Sequence, residues 1–413
     1  MLLPGEEVLV EVREDERSLR SKVLERKTTS LDRVVPPCSV FGLCGGCQLQ
    51  HIAYPAQLRY KEDLVRGLLS RYGEVSPILG MKDPWHYRNK ILSTLSLSPQ
   101  GRIQSGIYEE DSHRVVPVTT CQIQDEAADP IIASVLRLMG KFRLRPYEED
   151  RGKGFLRHIL IRRGVKRGEI LVVLVAAQSL FPGGSSFARE LKKLHPAITS
   201  IVLNINPKRT SVVLGKEEKI LYGPGFIWDE LMGLSFRISP SSFYQVNPSQ
   251  TEVLYGEALE MAGLSGKERV LDAYCGIGTI GLLAAGRAKE VIGVESNGDA
   301  VKDAVRNAKV NKIGNVRFLQ GDAGAYMVEL AEAGETLDVV LMDPPRSGSD
   351  EAFLGALLRL APKKVVYISC NPHTQERDLA VLTQGGYRVE AIRPVDMFPH
   401  TLHVEVVVKL ERR

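Results

Sequence analysis

From Pro248 onward the chain alternates short apolar runs with segments of helical period, and this constrains the fold more than any other feature of the 413 residues. The runs are Val270-Leu271-Asp272, Val291-Ile292-Gly293-Val294, Leu337-Asp338-Val339-Val340-Leu341 and Val365-Val366-Tyr367-Ile368, with helical segments after Thr279 and over about 300–309. Strands separated by helices cannot pair as hairpins, so the pattern predicts an α/β domain built on a doubly wound, mostly parallel sheet. The last two runs, Arg388-Val389-Glu390-Ala391-Ile392 and His403-Val404-Glu405-Val406-Val407-Val408, are close enough to pair antiparallel. Open sheets of this kind bind ligands outside the carboxyl ends of their strands, so chemistry is sought there.

The first half reads differently. Alternation of apolar and charged residues over 7–28 predicts two strands of a small β unit, and Pro36-Pro37 breaks it. Leu58, Leu64, Val65 and Leu68 among Lys61, Glu62 and Arg66 predict an amphipathic helix over 55–72, placed to pack on the C-terminal domain. Residues 85–238 are short β-favouring runs punctuated by glycine and proline, which predicts an antiparallel β-rich domain with helices near 131–139 and 186–194. The expected division is 1–35, 36–240 and 241–413. No apolar run approaches the roughly 20 residues of a membrane span. The start, Met1-Leu2-Leu3-Pro4-Gly5-Glu6-Glu7, lacks the pattern of an export signal, so a cytoplasmic protein is expected.

Charge is uneven along the chain. Residues 1–240 carry 35 Lys and Arg against 27 Asp and Glu, and the remainder 19 against 23. A polyanion held by the basic half while the other half does chemistry accounts for that asymmetry. Arg151, Lys153, Arg157, Arg162, Arg163, Lys166 and Arg167, with Phe155 and His158 among them, are expected to grip the phosphates and bases of a nucleic acid, and Trp85-His86-Tyr87-Arg88-Asn89-Lys90 is a second such stretch. A solvated hairpin face is the alternative.

The strand ends carry the chemistry. Gly276 and Gly278 follow the first strand as Gly-x-Gly, letting the backbone turn tightly and approach a ligand at the head of a helix. Glu295 closes the next strand, where a carboxylate can accept hydrogen bonds from ribose hydroxyls. The third glycine of a pyrophosphate-binding turn is missing, which favours S-adenosylmethionine over a dinucleotide. Asp343-Pro344-Pro345-Arg346 follows a later strand; arginine replaces the aromatic residue that amino-group methyltransferases stack on their target, which leaves a carbon acceptor. Cys370, in Ser369-Cys370-Asn371-Pro372, ends another strand and is either a nucleophilic thiol or a packed one. Glu405, on the final strand, is either a general base or a surface glutamate, with His403 as rival base.

Six cysteines are too few for a disulfide scaffold in a chain of this length. Cys38, Cys44 and Cys47 crowd one loop, and Cys121 is the only other cysteine before the catalytic half. Four thiolates could hold zinc or an iron-sulfur cluster, and the spacing does not separate the two.

Ser369-Cys370-Asn371-Pro372, Asp343-Pro344-Pro345-Arg346, Phe243-Tyr244-Gln245-Val246-Asn247 and His400-Thr401-Leu402-His403-Val404-Glu405 together resemble the RNA 5-methyluridine methyltransferase family, and within it the iron-sulfur branch that modifies 23S ribosomal RNA. The resemblance runs from about Asp32 to the C-terminus. It implies a Rossmann-like S-adenosylmethionine-dependent methyltransferase domain behind an N-terminal β-rich domain that binds RNA and a four-iron, four-sulfur cluster. Gln245, Tyr274, Thr279, Glu295, Asp322 and Asp343 would then line the cofactor and target-base site, although Tyr274 and Thr279 stand where relatives often have phenylalanine and asparagine. Cys370 would add to C6 of a flipped uridine and Glu405 would remove the C5 proton. Cys38, Cys44, Cys47 and Cys121 would hold the cluster, whose task would be to shape the RNA-binding surface, since methyl transfer needs no redox step. Residues 1–35 would be a shortened remnant of the small TRAM-type barrel with which relatives begin. A monomer acting on 23S rRNA is expected, with tRNA as the alternative substrate. Cytosine C5 methylation and a non-catalytic iron-sulfur RNA-binding factor are the rival readings.

Overall fold

Two seven-stranded sheets organise the chain and share one buried core. The computed structural model describes residues 2–15, 18–110, 112–209 and 212–413. Strands β1 (Val8–Asp15) and β2 (Ser18–Arg26) form an antiparallel ribbon that leaves Leu9, Val12 and Leu24 exposed. The cysteine loop follows and ends at helix α1 (Tyr54–Leu69), which Pro55 opens in its first turn, where the missing N–H costs nothing.

The central sheet takes β3 (Lys90–Leu97), β4 (Ile103–Tyr108), β5 (Val115–Pro117), β6 (Leu156–Arg163), β7 (Ile170–Ala176), β8 (Ile198–Ile205) and β9 (Glu217–Tyr222), in the order β5-β4-β3-β6-β7-β8-β9. Helix α2 (Ala128–Lys141) precedes β6, and α3 (Gly184–Leu194) joins β7 to β8. That helix makes β7 and β8 parallel, a departure from the antiparallel expectation, because a strand re-entering through a crossover helix runs the same way. Every residue of β7 is buried, as both faces of the sheet are covered. Phe187 and Leu191 of α3 and Val135 and Met139 of α2 fill one face. On the other, Leu160, Leu171, Val173 and Val175 share a core with the catalytic domain.

Burial on both faces takes two cations and both rings out of the expected RNA grip, while Arg151, Lys153, Lys166 and Arg167 of the same stretch are exposed. Arg157 and Arg162 on β6 are 4% and 3% exposed, and Phe155 and His158 are buried with them. The Arg157 guanidinium donates to Asn206 O at 2.9 Å, and Arg162 donates to Ser242 O. These cations tie loops together instead of meeting a polyanion.

After the hairpin of β10 (Ile227–Leu231) and β11 (Leu234–Ile238) comes the second layer. Helix α4 (Pro248–Ala262) leads into β12 (Arg269–Ala273), α5 (Thr279–Ala285), β13 (Glu290–Glu295), α6 (Gly298–Val310), β14 (Val316–Gln320) and α7 (Ala323–Glu332). Then follow β15 (Val339–Met342), α8 (Glu351–Leu360), β16 (Lys364–Ser369), α9 (Pro372–Gln384), β17 (Tyr387–Val395) and β18 (Glu405–Arg412). The strand order is β14-β13-β12-β15-β16-β18-β17; the first five are parallel, and β18 runs antiparallel between β16 and β17. The order reverses between β12 and β15, which opens a crevice at their carboxyl ends. Helix α1 packs here despite its early place in the chain: Val65 and Leu69 join Leu379, Leu382 and Tyr387 in one buried cluster. Among the described residues no helix is long and apolar enough to cross a membrane.

Candidate active site

At those carboxyl ends lies a cleft of about 670 Å³. Gln245, Tyr274, Thr279, Glu295, Asp322, Asp343, Cys370 and Glu405 all line it. The turn after β12 makes its floor. Tyr274, Gly276 and Gly278 have φ of 66°, 56° and 81°, the left-handed region, which costs a tyrosine energy that its packing must supply. The Tyr274 ring lies 5.5 Å from that of Phe353. A Cβ on Gly278 would sit 2.5 Å from Phe318 Cζ, so the position is closed to any side chain. Gly276 N donates to Glu295 Oε2 at 3.1 Å and Asn297 N to Oε1 at 2.8 Å, which fixes that carboxylate at the rim. Asp322 caps α7 by accepting from Ala325 N at 2.9 Å.

The carboxylates are crowded. Asp272, inside β12 and 1% exposed, accepts from Gly281 N at 2.8 Å, yet burial, helped by Asp343, raises its pKa to about 8. Burial likewise raises Asp343 to about 7. Asp272 and Phe243, which is 61% exposed, also line the cleft and were not assigned from sequence. The signal for Asp272 was an acid inside an otherwise apolar strand.

Cys370 and Glu405 meet through sheet register. Ser369, last residue of β16, pairs with Val406 of β18, so the next residue outward on each strand is Cys370 on one and Glu405 on the other. The turn is held locally: Ser369 Oγ accepts from Asn371 N at 3.1 Å, Asn371 Oδ1 accepts from His373 N at 3.2 Å, and Pro372 opens α9. Burial, then Glu405 and Asp343, push the Cys370 thiol up to about 11, and Arg346 opposes them. Glu405 is 4% exposed and its pKa is raised well above the usual range by burial and Asp343; its Oε2 has no hydrogen-bond partner among the described residues. Arg346 is held through its carbonyl, which accepts from Asn371 Nδ2 at 3.0 Å and Thr374 Oγ1 at 3.2 Å. His403, the rival base, faces away: its Nε2 lies 3.2 Å from Arg346 Nη2, and it lines a neighbouring cavity.

That second cavity, about 390 Å³, brings Cys38, Cys44, Cys47 and Cys121 together, with Arg346 and Phe398 lining both spaces. Burial raises the Cys44 and Cys121 thiols and takes Cys47 to about 12. Among the described residues no group of three or more His, Cys, Asp or Glu side chains converges on the position of a single ion. Cys275 is buried beneath the cofactor turn, its Sγ 3.0 Å from where a Cβ on Gly293 would lie.

A mixed sheet with one antiparallel strand, a glycine turn after β12 and an acid closing β13 define an S-adenosylmethionine-dependent methyltransferase. The profile of the tRNA (Uracil-5-)-methyltransferase family matches residues 54–413, and the chain belongs to that family. An uncharacterized RNA methyltransferase of Halalkalibacterium halodurans is 45% identical over 415 residues, covering 99% of this chain and 90% of the relative. One of Listeria monocytogenes is 43% identical over 413 residues, covering 99% and 91%. Among solved structures, the Pyrococcus abyssi tRNA (uracil-54, C5)-methyltransferase in complex with S-adenosyl-L-homocysteine is similar, with a TM-score of 0.79, 28% identity, and coverage of 98% of this chain and 93% of that one. The protein is an RNA methyltransferase.

Proposed function

We propose that the protein methylates C5 of a specific uridine in 23S rRNA, with Cys370 as nucleophile and Glu405 as base. The observation that carries the reaction is the cross-strand placement of Cys370 and Glu405 at one edge of the cleft; the 23S rRNA target rests on the sequence resemblance. C5 of uracil is a poor nucleophile; Cys370, once its thiol proton has passed to solvent, adds as the thiolate to C6 and moves electron density onto C5 and O4. S-adenosylmethionine, when bound, supplies the electrophilic methyl group. Gln245, Tyr274, Thr279, Glu295, Asp322 and Asp343 hold the cofactor and the target base. After transfer C5 carries one hydrogen too many. Glu405 takes that proton, the C5–H electron pair forms the C5=C6 bond, and the C6–S pair returns to Cys370. The target must leave its stack to enter, so a loop nucleotide or a flipped base is required.

Incubation with RNA carrying 5-tritiated uridine is expected to release tritium; release by Cys370→Ala would sink the mechanism. The likeness to the Pyrococcus abyssi enzyme favours tRNA as a second reading. Mapping 5-methyluridine in rRNA and tRNA from cells with and without the protein decides between them.

The four clustered cysteines fit a four-iron, four-sulfur cluster by their chemistry, all soft thiolate donors around one cavity. Cys38, Cys44, Cys47 and Cys121 would hold it, and it would pin the loop without entering the reaction. Iron and acid-labile sulfide near four per chain are expected by analysis; stoichiometric zinc would overturn the assignment.

A further inference from the structure

Residues 396–404 join β17 to β18 and deliver Glu405 to the cleft, and the first half of the chain holds them. His400 has φ 66° and stacks on Trp85, ring centroids 3.7 Å apart and planes at 17°. Its carbonyl accepts from Gln48 N at 3.0 Å and Leu49 N at 2.9 Å, the two residues that follow Cys47. Its own N–H donates to Gln57 Oε1 at 3.0 Å, and Gln57 Nε2 lies 3.1 Å from His400 Nδ1. The same Nε2 donates to Leu49 O at 3.1 Å and Ile52 O at 2.8 Å. Gln57 is 0% and His400 2% exposed. One buried amide on α1 therefore binds both the exit of the cysteine loop and the turn before Glu405. Tyr87 adds a hydrogen bond from its hydroxyl to Pro399 O at 3.0 Å. Cys370 is held otherwise, by Ser369 and Asn371 within its own turn.

We propose that Gln57 and His400 are positioning residues for the proton-removal step, locking the Glu405 loop to the cysteine loop, while the Cys370 turn is held from within by Ser369 and Asn371 and meets that loop through Arg346 and His403. A left-handed, non-glycine backbone persists only where its surroundings over-determine it, and a fully used buried amide does that. Loosening the joint frees the loop that enters β18 at Glu405, the first residue of that strand, and so shifts Glu405 more than Cys370, whose turn is held from within. Addition and methyl transfer then still occur, but the C5 proton leaves slowly and the C6–S bond persists, so RNA stays bonded to the protein. A misplacement on the order of 1 Å costs roughly 100-fold in such a step. The proposal rests on Glu405 being the base.

The test uses the full chain with S-adenosylmethionine and RNA from cells lacking the protein. Product rate, KM for RNA and the fraction of protein in a denaturant-resistant RNA complex are measured for Gln57→Met, Tyr87→Phe and Glu405→Gln. For Gln57→Met the rate is expected to fall roughly 10- to 100-fold, with KM within about twofold and the trapped fraction above wild type. Tyr87→Phe, the gentler change, should move the same way by less. Gln57→Met and Tyr87→Phe at wild-type rates, or losing trapped complex and product together, would overturn the positioning role. Glu405→Gln that traps nothing would overturn the base assignment instead.

Discussion

Asp272→Asn tests the electrostatics of the cleft floor. The folded-state pKa of Asp272, about 8, lies above the 3.8 of an unburied aspartate. Below that lower value both states hold the proton. As pH rises towards the higher value the unfolded chain releases it and the folded chain keeps it, so this residue's contribution to stability is progressively lost. The slope is about 1.4 kcal/mol per pH unit for one proton. Asparagine keeps an oxygen for Gly281 N, which now donates to Oδ2 at 2.8 Å, and removes the linkage. The variant is therefore expected to gain on wild type by about 2.7 kcal/mol between pH 5 and pH 7, an increase of about 3 °C in the Tm difference for a chain of this length. Thermal unfolding at several pH values, followed by circular dichroism, reads this directly. A difference constant across pH 4 to 8 would refute the reasoning, because an ordinary surface-like carboxylate is fully ionised over most of that range.

Three further outcomes follow from the same structure. Alkylation of Cys370, resolved by peptide mass spectrometry, is expected to accelerate about tenfold per pH unit from 8 to 10 without levelling, since the thiol is pushed up to about 11; Arg346→Gln should slow it, and a plateau near pH 8 would contradict the burial argument. Gly278→Ala forces a Cβ within 2.5 Å of Phe318 Cζ at φ 81°, so a loss of about 1–3 kcal/mol or more is expected on denaturant titration, together with weakened S-adenosylmethionine binding by calorimetry. Lys61→Met strands Asp396, whose Oδ1 now lies 2.6 Å from Lys61 Nζ with side chains 0% and 3% exposed. A loss of about 3–5 kcal/mol is expected by denaturant titration, and much of it should return in the double variant with Asp396→Asn.

What the sequence determined by itself is whatever depends on neighbours along the chain. Runs of apolar residues set apart by helical segments carried the parallel sheet, because strand and helix periods are local. Glycines at 276 and 278 marked the ligand turn, because a left-handed backbone is a property of single residues. Cys370 at the end of β16 was legible for the same reason. The tertiary structure decided whatever depends on strand order and burial. Glu405 faces Cys370 only because β18 inserts between β16 and β17, and the choice between surface glutamate and buried acid rested on that insertion. Arg157 and Arg162 looked like a polyanion grip until β6 proved covered on both faces. Cys121 joins the other three thiols, and Gln57 reaches His400, across separations that no local pattern records. Local periodicity writes the elements; which faces meet is settled by long-range packing, where burying apolar area outweighs the pattern of any one segment.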